Sequence, residues 1–131
     1  MSTHRPYEKL KVWQAAMSFT QQIYQITSTF PDSERAGLAA TLRRHVMTLP
    51  ARIADVASSD NTQLNIKLLT NTATTLTEIE TTLLLCHRMR FIRAWPLRRL
   101  RKRAQNIRVL LEDQLFLLSE MAAIEYPAQA S

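Results

Sequence analysis

The sequence holds one glycine and one cysteine in 131 residues. A single glycine excludes a Gly-rich phosphate-cradling loop, which needs several positions without a Cβ, and no nucleophile elbow is present. A single cysteine, Cys86, excludes an internal disulfide and fits a reducing compartment. No apolar run approaches the ~18 residues of a membrane-spanning helix. The N-terminal MSTHRPYEKLKVW lacks an apolar signal core, so a cytoplasmic location is expected. The three histidines, His4, His45 and His87, have no Glu three residues before them, so the Glu-x-x-His pattern of a di-metal bundle is missing. Cys86-His87 stands alone, short of a zinc ligand set, and Cys86 falls on an apolar seam as a core residue. The residues point to no enzyme, no metal and no cofactor.

What is abundant is helix-forming sequence. Ala, Leu, Arg, Gln and Glu are plentiful, and three breaks divide the chain: Phe30-Pro31-Asp32-Ser33, Ser58-Ser59-Asp60-Asn61-Thr62 and Ala94-Trp95-Pro96. Asp32 or Ser33, then Asp60 or Asn61, suit N-cap positions, and Pro96 suits a first helical position. A single domain over 1–131 is expected, with helices at about 7–29, 33–58, 61–90 and 96–124 and a short tail, 125–131. Connections this short favour an all-α, antiparallel, up-down-up-down four-helix bundle.

The apolar periodicity agrees. Leu97, Leu100, Ala104, Ile107, Leu111, Gln114, Leu118 and Met121 recur at alternating three and four, as do Leu69, Thr72, Leu76, Ile79, Leu83 and Cys86. The first helix carries two seams, Leu10, Trp13, Met17, Tyr24 and Val12, Ala16, Phe19, Ile23, Ile26, Phe30. Val109, Leu110, Leu115, Phe116 and Leu117 make the end of the fourth apolar almost all round. A lone bundle needs about one apolar face per helix, so the surplus predicts a homo-oligomer; the alternative is that Phe116 and Leu117 cover the bundle's end. Pro50 interrupts the stripe Leu38, Leu42, Val46, Leu49, Ile53, Val56 without shifting its phase. A kink at Pro50 is therefore expected rather than a break, with Thr48 able to bond an upstream carbonyl.

Four blocks in order carry a family likeness. Tyr7, Leu10, Val12 and Trp13 form the first; Phe30, Pro31, Glu34, Gly37, Leu38, Leu42, Arg43 and Arg44 the second. Thr48, Leu49, Pro50, Ile53, Ala54 and Asp55 form the third, and Leu76, Glu78, Glu80 and Thr81 the fourth. Together they resemble the four-helix-bundle family of proteins encoded in intervening sequences of large-subunit rRNA genes. Arg52 stands where that family prefers Asn, and Val56 replaces its Gly. The resemblance implies a homopentameric barrel. It also implies kinship with the accessory variability determinant of diversity-generating retroelements, which is basic and binds a reverse transcriptase and nucleic acid.

Glu78 and Glu80 point about 200° apart on a helix, so at most one faces the interior. A buried carboxylate needs a cationic partner, and the expected structural ion pair is Glu80 with Arg43 or Arg44.

Charge of one sign is missing altogether from RMRFIRAWPLRRLRKRAQNIR. Residues 88–108 contain Arg88, Arg90, Arg93, Arg98, Arg99, Arg101, Lys102, Arg103 and Arg108 and no Asp or Glu, whereas the rest of the chain sums to −3. On a helix the cations spread over roughly 220°, a wide face, but with Arg98/Lys102 and Arg99/Arg103 repelling at i,i+4. Several also sit in the first turns, where the helix dipole disfavours cations. Such local conflicts indicate a compensating anion, and arginine suits bidentate phosphate contacts. These nine residues are the expected nucleic-acid contacts, to RNA or DNA without sequence readout. The alternative partner is an acidic protein gripped by the same rim. A membrane partner is disfavoured, since the apolar side of the fourth helix is needed for the core. Phe91 and Trp95 are expected to plug the bundle's end rather than stack on bases.

Overall fold

Four α-helices make up most of residues 5–125, the part of the chain that the computed structural model describes: α1 (Lys11–Thr27), α2 (Leu38–Ala57), α3 (Thr62–Arg88) and α4 (Ala94–Glu125). No strand occurs among the described residues. Two 3-10 turns, Pro6–Lys9 and Asp32–Glu34, precede α1 and α2. His4 and the tail expected beyond Glu125 lie outside the described residues.

The first two helices start later than periodicity predicts, for local reasons. Leu10 is extended, with φ −72° and ψ 131°, and separates the first 3-10 turn from α1. Before α2, Gly37 takes φ −102° and ψ −114°, and Glu34 Oε2 accepts from the Leu38 N–H at 3.2 Å. Glu34, not Asp32 or Ser33, thus serves the start of α2. A Cβ on residue 37 would meet that carboxylate at 2.8 Å, so a larger residue there would push the Glu34 side chain off the Leu38 N–H. At α3, Asn61 is the cap, its side chain accepting from the Leu64 N–H at 3.0 Å. Helix α4 begins at Ala94, so Pro96 sits inside the first turn, where its missing N–H has no partner to lose.

α1 packs on α2 and α4, α2 on α3, and α3 on α4, enclosing one core. Of the two seams on α1, Val12, Ala16, Phe19 and Ile23 are buried, whereas Met17 and Tyr24 remain on the outside. On α4 the seam is buried from Leu97 through Leu111 and then leaves the core, with Gln114 and Leu118 half-buried and Met121 exposed. Cys86 is fully buried; burial, with the nearby Glu34 carboxylate adding to it, pushes its pKa up to about 11. It is a neutral thiol at neutral pH, and a nucleophile needs the thiolate.

The threonines of α3 after Thr62, poor helix formers, are satisfied within the helix. Thr70, Thr72, Thr74, Thr75, Thr77, Thr81 and Thr82 each donate a hydroxyl to the carbonyl four residues back. This lets Thr72 and Thr75 sit in buried positions without an orphaned hydroxyl.

α2 runs through Pro50 unbroken. The proline deprives the Val46 carbonyl of its helical donor, and Thr20 of α1 brings its hydroxyl to 3.2 Å from that oxygen, while also 2.8 Å from its own Ala16 carbonyl. Thr48 donates to the His45 carbonyl at 2.7 Å, as its position suggested. The one hydroxyl proton is shared between the two carbonyls, so the neighbouring helix covers part of the polar defect that Pro50 creates. Thr20→Val is expected to lower stability by about 1 kcal/mol, the net worth of one such bond. In a Pro50→Ala background, where residue 50 regains an N–H for Val46, the same change should cost close to nothing. Chemical denaturation of the four proteins checks this, and equal costs in both backgrounds would contradict it.

The helices differ in length: at ~1.5 Å per residue, α4 with 32 residues spans about 48 Å and α1 with 17 only about 26 Å. Burial on α4 stops well before its end. From residue 112 to 125 nothing is fully buried, and Phe116, Leu117, Met121 and Ile124 are exposed there.

Candidate nucleic-acid interface

The basic segment is a corner built by a tight helix stop. At the end of α3 the Phe91 N–H bonds the Cys86 carbonyl at 2.8 Å and the Arg90 N–H bonds the His87 carbonyl at 2.9 Å. This is a Schellman motif, and Arg90 occupies its left-handed position at φ 66°. Glycine is favoured there, and an arginine costs about 1 kcal/mol. His87 Nδ1 donates to the Ile92 carbonyl at 2.8 Å and ties the turn back to α3. Ile92 is buried, and the half-buried Phe91 lies against Phe30 with ring centroids 5.7 Å apart. Phe91 therefore closes the end of the bundle. Trp95 does not: it is 64% exposed, contrary to the plug expected from sequence.

Beyond the turn, Arg98, Arg99, Arg101, Lys102 and Arg103 wind around the solvent side of α4, and Arg88, Arg90 and Arg93 add theirs from the turn; all eight are exposed. Two shallow grooves flank the buried seam. One, toward α3, is lined by Glu80, Ala94, Leu97, Arg98, Arg101, Lys102 and Gln105. The other, toward α1, is lined by Gln22, Gln25, Ile26, Pro96, Arg99 and Leu100. Among the described residues none of these eight cations has a side-chain ion pair or hydrogen bond. The positive end of the α4 dipole and its free N–H groups point into the same region.

The ninth cation, Arg108, is different, and it corrects an expectation. Glu80 pairs with Arg108 of α4, both half-buried, rather than with Arg43 or Arg44 of α2. Arg43 instead donates to Thr27 Oγ1 at 2.8 Å and the Tyr24 carbonyl at 3.1 Å, its guanidinium 4.7 Å from the Tyr24 ring centroid. It ties α2 to α1. Arg44 is exposed. The physical reason is that the face of α3 bearing Glu80 looks toward α4, whereas the face toward α2 carries Thr75, held at 2.7 Å by Arg52. Arg52, which departs from the family's Asn, thus bridges α2 and α3. Arg108 holds the bundle together more than it offers charge to solvent.

No group of three or more His, Cys, Asp or Glu that could hold a metal occurs among the described residues, and no helix there is long and apolar enough to cross a membrane. What these elements define is an all-α, four-helix protein with a cationic corner at the α3–α4 turn. The profile of the 23S rRNA-intervening sequence protein family matches residues 8–113, from the turn before α1 to beyond the last buried position of α4. The chain belongs to that family. No curated protein matches it.

Proposed function

We propose that this chain is a non-enzymatic, oligomeric module of the cytoplasm that binds RNA or DNA without reading sequence, through the Arg-rich corner. One observation carries the reading: eight exposed cations of one sign, seven of them arginines, have no internal partner among the described residues. A folded protein gains little from such crowding unless an anion relieves it, and phosphate oxygens match the guanidinium fork. The resemblance to the accessory variability determinant makes a reverse transcriptase or another nucleic-acid enzyme the natural partner.

The bundle is read as up-down-up-down. Thr62 at the start of α3 lies 3.2 Å from Glu125 at the end of α4, and Leu10 and Val56 share one depression beside Leu117 and Leu118. The exposed apolar end of α4 is then the surface that a second copy covers, and five copies close a ring that repeats the basic corner around a rim. Two measurements test these claims. Native mass should be about five times the 15.1 kDa of the chain, and Phe116→Asp with Leu117→Asp should return it to a single chain. Generic RNA or DNA should bind at ~50 mM salt. An unbound wild-type protein sinks the nucleic-acid reading, and a monomeric mass sinks the ring.

A further inference from the structure

Trp95 is out of place for a structural residue. It stands in the first turn of α4 with 64% of its surface open to water, although Phe91, four residues earlier, already closes the bundle. Among the described residues no ring or guanidinium packs on its indole: the ring contacts are Tyr7 with Trp13, Phe30 with Phe91, and Arg43 with Tyr24. Burying an indole would stabilise the fold substantially, so an indole left bare among cations is a surface with a missing occupant.

The spacing on α4 says what kind of occupant fits. Arg98 and Arg99 follow Trp95 at i+3 and i+4 and Lys102 at i+7, so ring and charges share one face. One helical turn is ~5.4 Å, which sets cations roughly 5 and 10 Å along the axis from the indole. Arg98 and Lys102 border the groove toward α3 and Arg99 the one toward α1, with Trp95 on the exposed ridge between them. A flat aromatic face followed by a track of cations is the arrangement that holds a strand whose bases are unpaired: the base stacks and the phosphates run on along the charges. A duplex hides its base faces inside the stack and offers this site only its phosphates. Acidic polypeptide would satisfy the charges but leave the indole bare.

We infer that the corner takes single-stranded nucleic acid, with Trp95 stacking on a base while Arg98, Arg99 and Lys102 hold the neighbouring phosphates. The inference rests on the nucleic-acid reading above and narrows it to strands, loops or ends with exposed bases.

The test uses the full-length oligomer and four labelled probes at low salt: a ~20-nucleotide oligothymidylate, a duplex of the same length, inorganic polyphosphate and polyglutamate. Wild type is expected to bind the single strand most tightly, with tryptophan emission quenched by the oligothymidylate and not by polyphosphate, and the quenching lost in Trp95→Ala, where Trp13 alone emits. Trp95→Ala should weaken single-strand binding about tenfold, the worth of one stacked base, and leave duplex and polyphosphate binding within about twofold. Trp95→Phe should recover part of the loss, and native mass should not change in either variant. Equal losses for all probes, or a changed native mass, would make Trp95 a subunit contact and overturn the inference. So would a Trp95→Ala variant that still prefers the single strand undiminished. In each of these cases wild-type binding would leave the broader reading standing. A wild type that binds polyglutamate but no nucleic acid would overturn both.

Discussion

Exchanging Arg98, Arg101 and Lys102 together for Gln should weaken binding of generic RNA or DNA by ~100- to 1,000-fold at ~50 mM salt. Each phosphate neutralised releases close to one counterion, which at that salt is worth about a factor of ten in affinity. The three side chains line one groove on α4, are exposed, and pair with no described residue. Their loss therefore removes no internal contact. It also relieves the Arg98/Lys102 repulsion at i,i+4. The thermal midpoint is expected to stay or rise slightly, which separates loss of binding from loss of fold. Gel shift or anisotropy together with a melting curve checks both, and a variant that binds as wild type does would move the interface elsewhere.

Glu80→Gln should act on stability and binding in opposite directions. It leaves the Arg108 guanidinium half-buried without its carboxylate, and stability should fall by about 1–2 kcal/mol, or a few degrees in Tm. The same change removes the one carboxylate in the cationic groove and frees a ninth cation, so affinity for nucleic acid should rise roughly three- to tenfold. Arg108→Gln should destabilise to a similar extent without the gain in affinity. Combining either with the other should cost little more than one alone, because both break the same pair. No such coupling is expected between Glu80 and Arg43, whose partners are Thr27 and Tyr24. Additive effects of Glu80 and Arg108 would contradict the pairing.

How far the sequence reaches depends on how local the cause is. The seams of α3 and α4 are legible because the spacing of Leu69 through Cys86 and of Leu97 through Leu111 is a property of one helix, and these positions are buried. The cationic corner is legible for the same reason, since Arg88 to Arg103 are consecutive enough to be exposed whatever packs beneath. Partner choice is not legible. That Glu80 needs an arginine follows from chemistry, but Arg43, Arg44 and Arg108 are equally suitable until the rotation of α3 against its neighbours is known. Helix starts fail where a side chain several residues away supplies the cap, as Glu34 does for Leu38. The repair of the Pro50 defect depends on Thr20, thirty positions earlier, and no pattern within α2 announces it. Trp95 and Phe91 look alike as corner aromatics. Only the tight stop after α3 turns Phe91 inward against Phe30 and leaves Trp95 outside.

The eight cations of the corner, unpaired among the described residues, make salt the sharpest probe of binding. Affinity of the wild-type oligomer for one unstructured oligonucleotide should be measured from ~50 to ~300 mM monovalent salt, and log K plotted against log salt. If the corner at the α3–α4 turn neutralises most of its reach of phosphates, the slope should lie near −4 to −6, and near −2 to −3 for the triple Gln variant. A wild-type affinity that is flat across that range, or absent at its lower end, would mean that the Arg-rich corner does not grip nucleic acid.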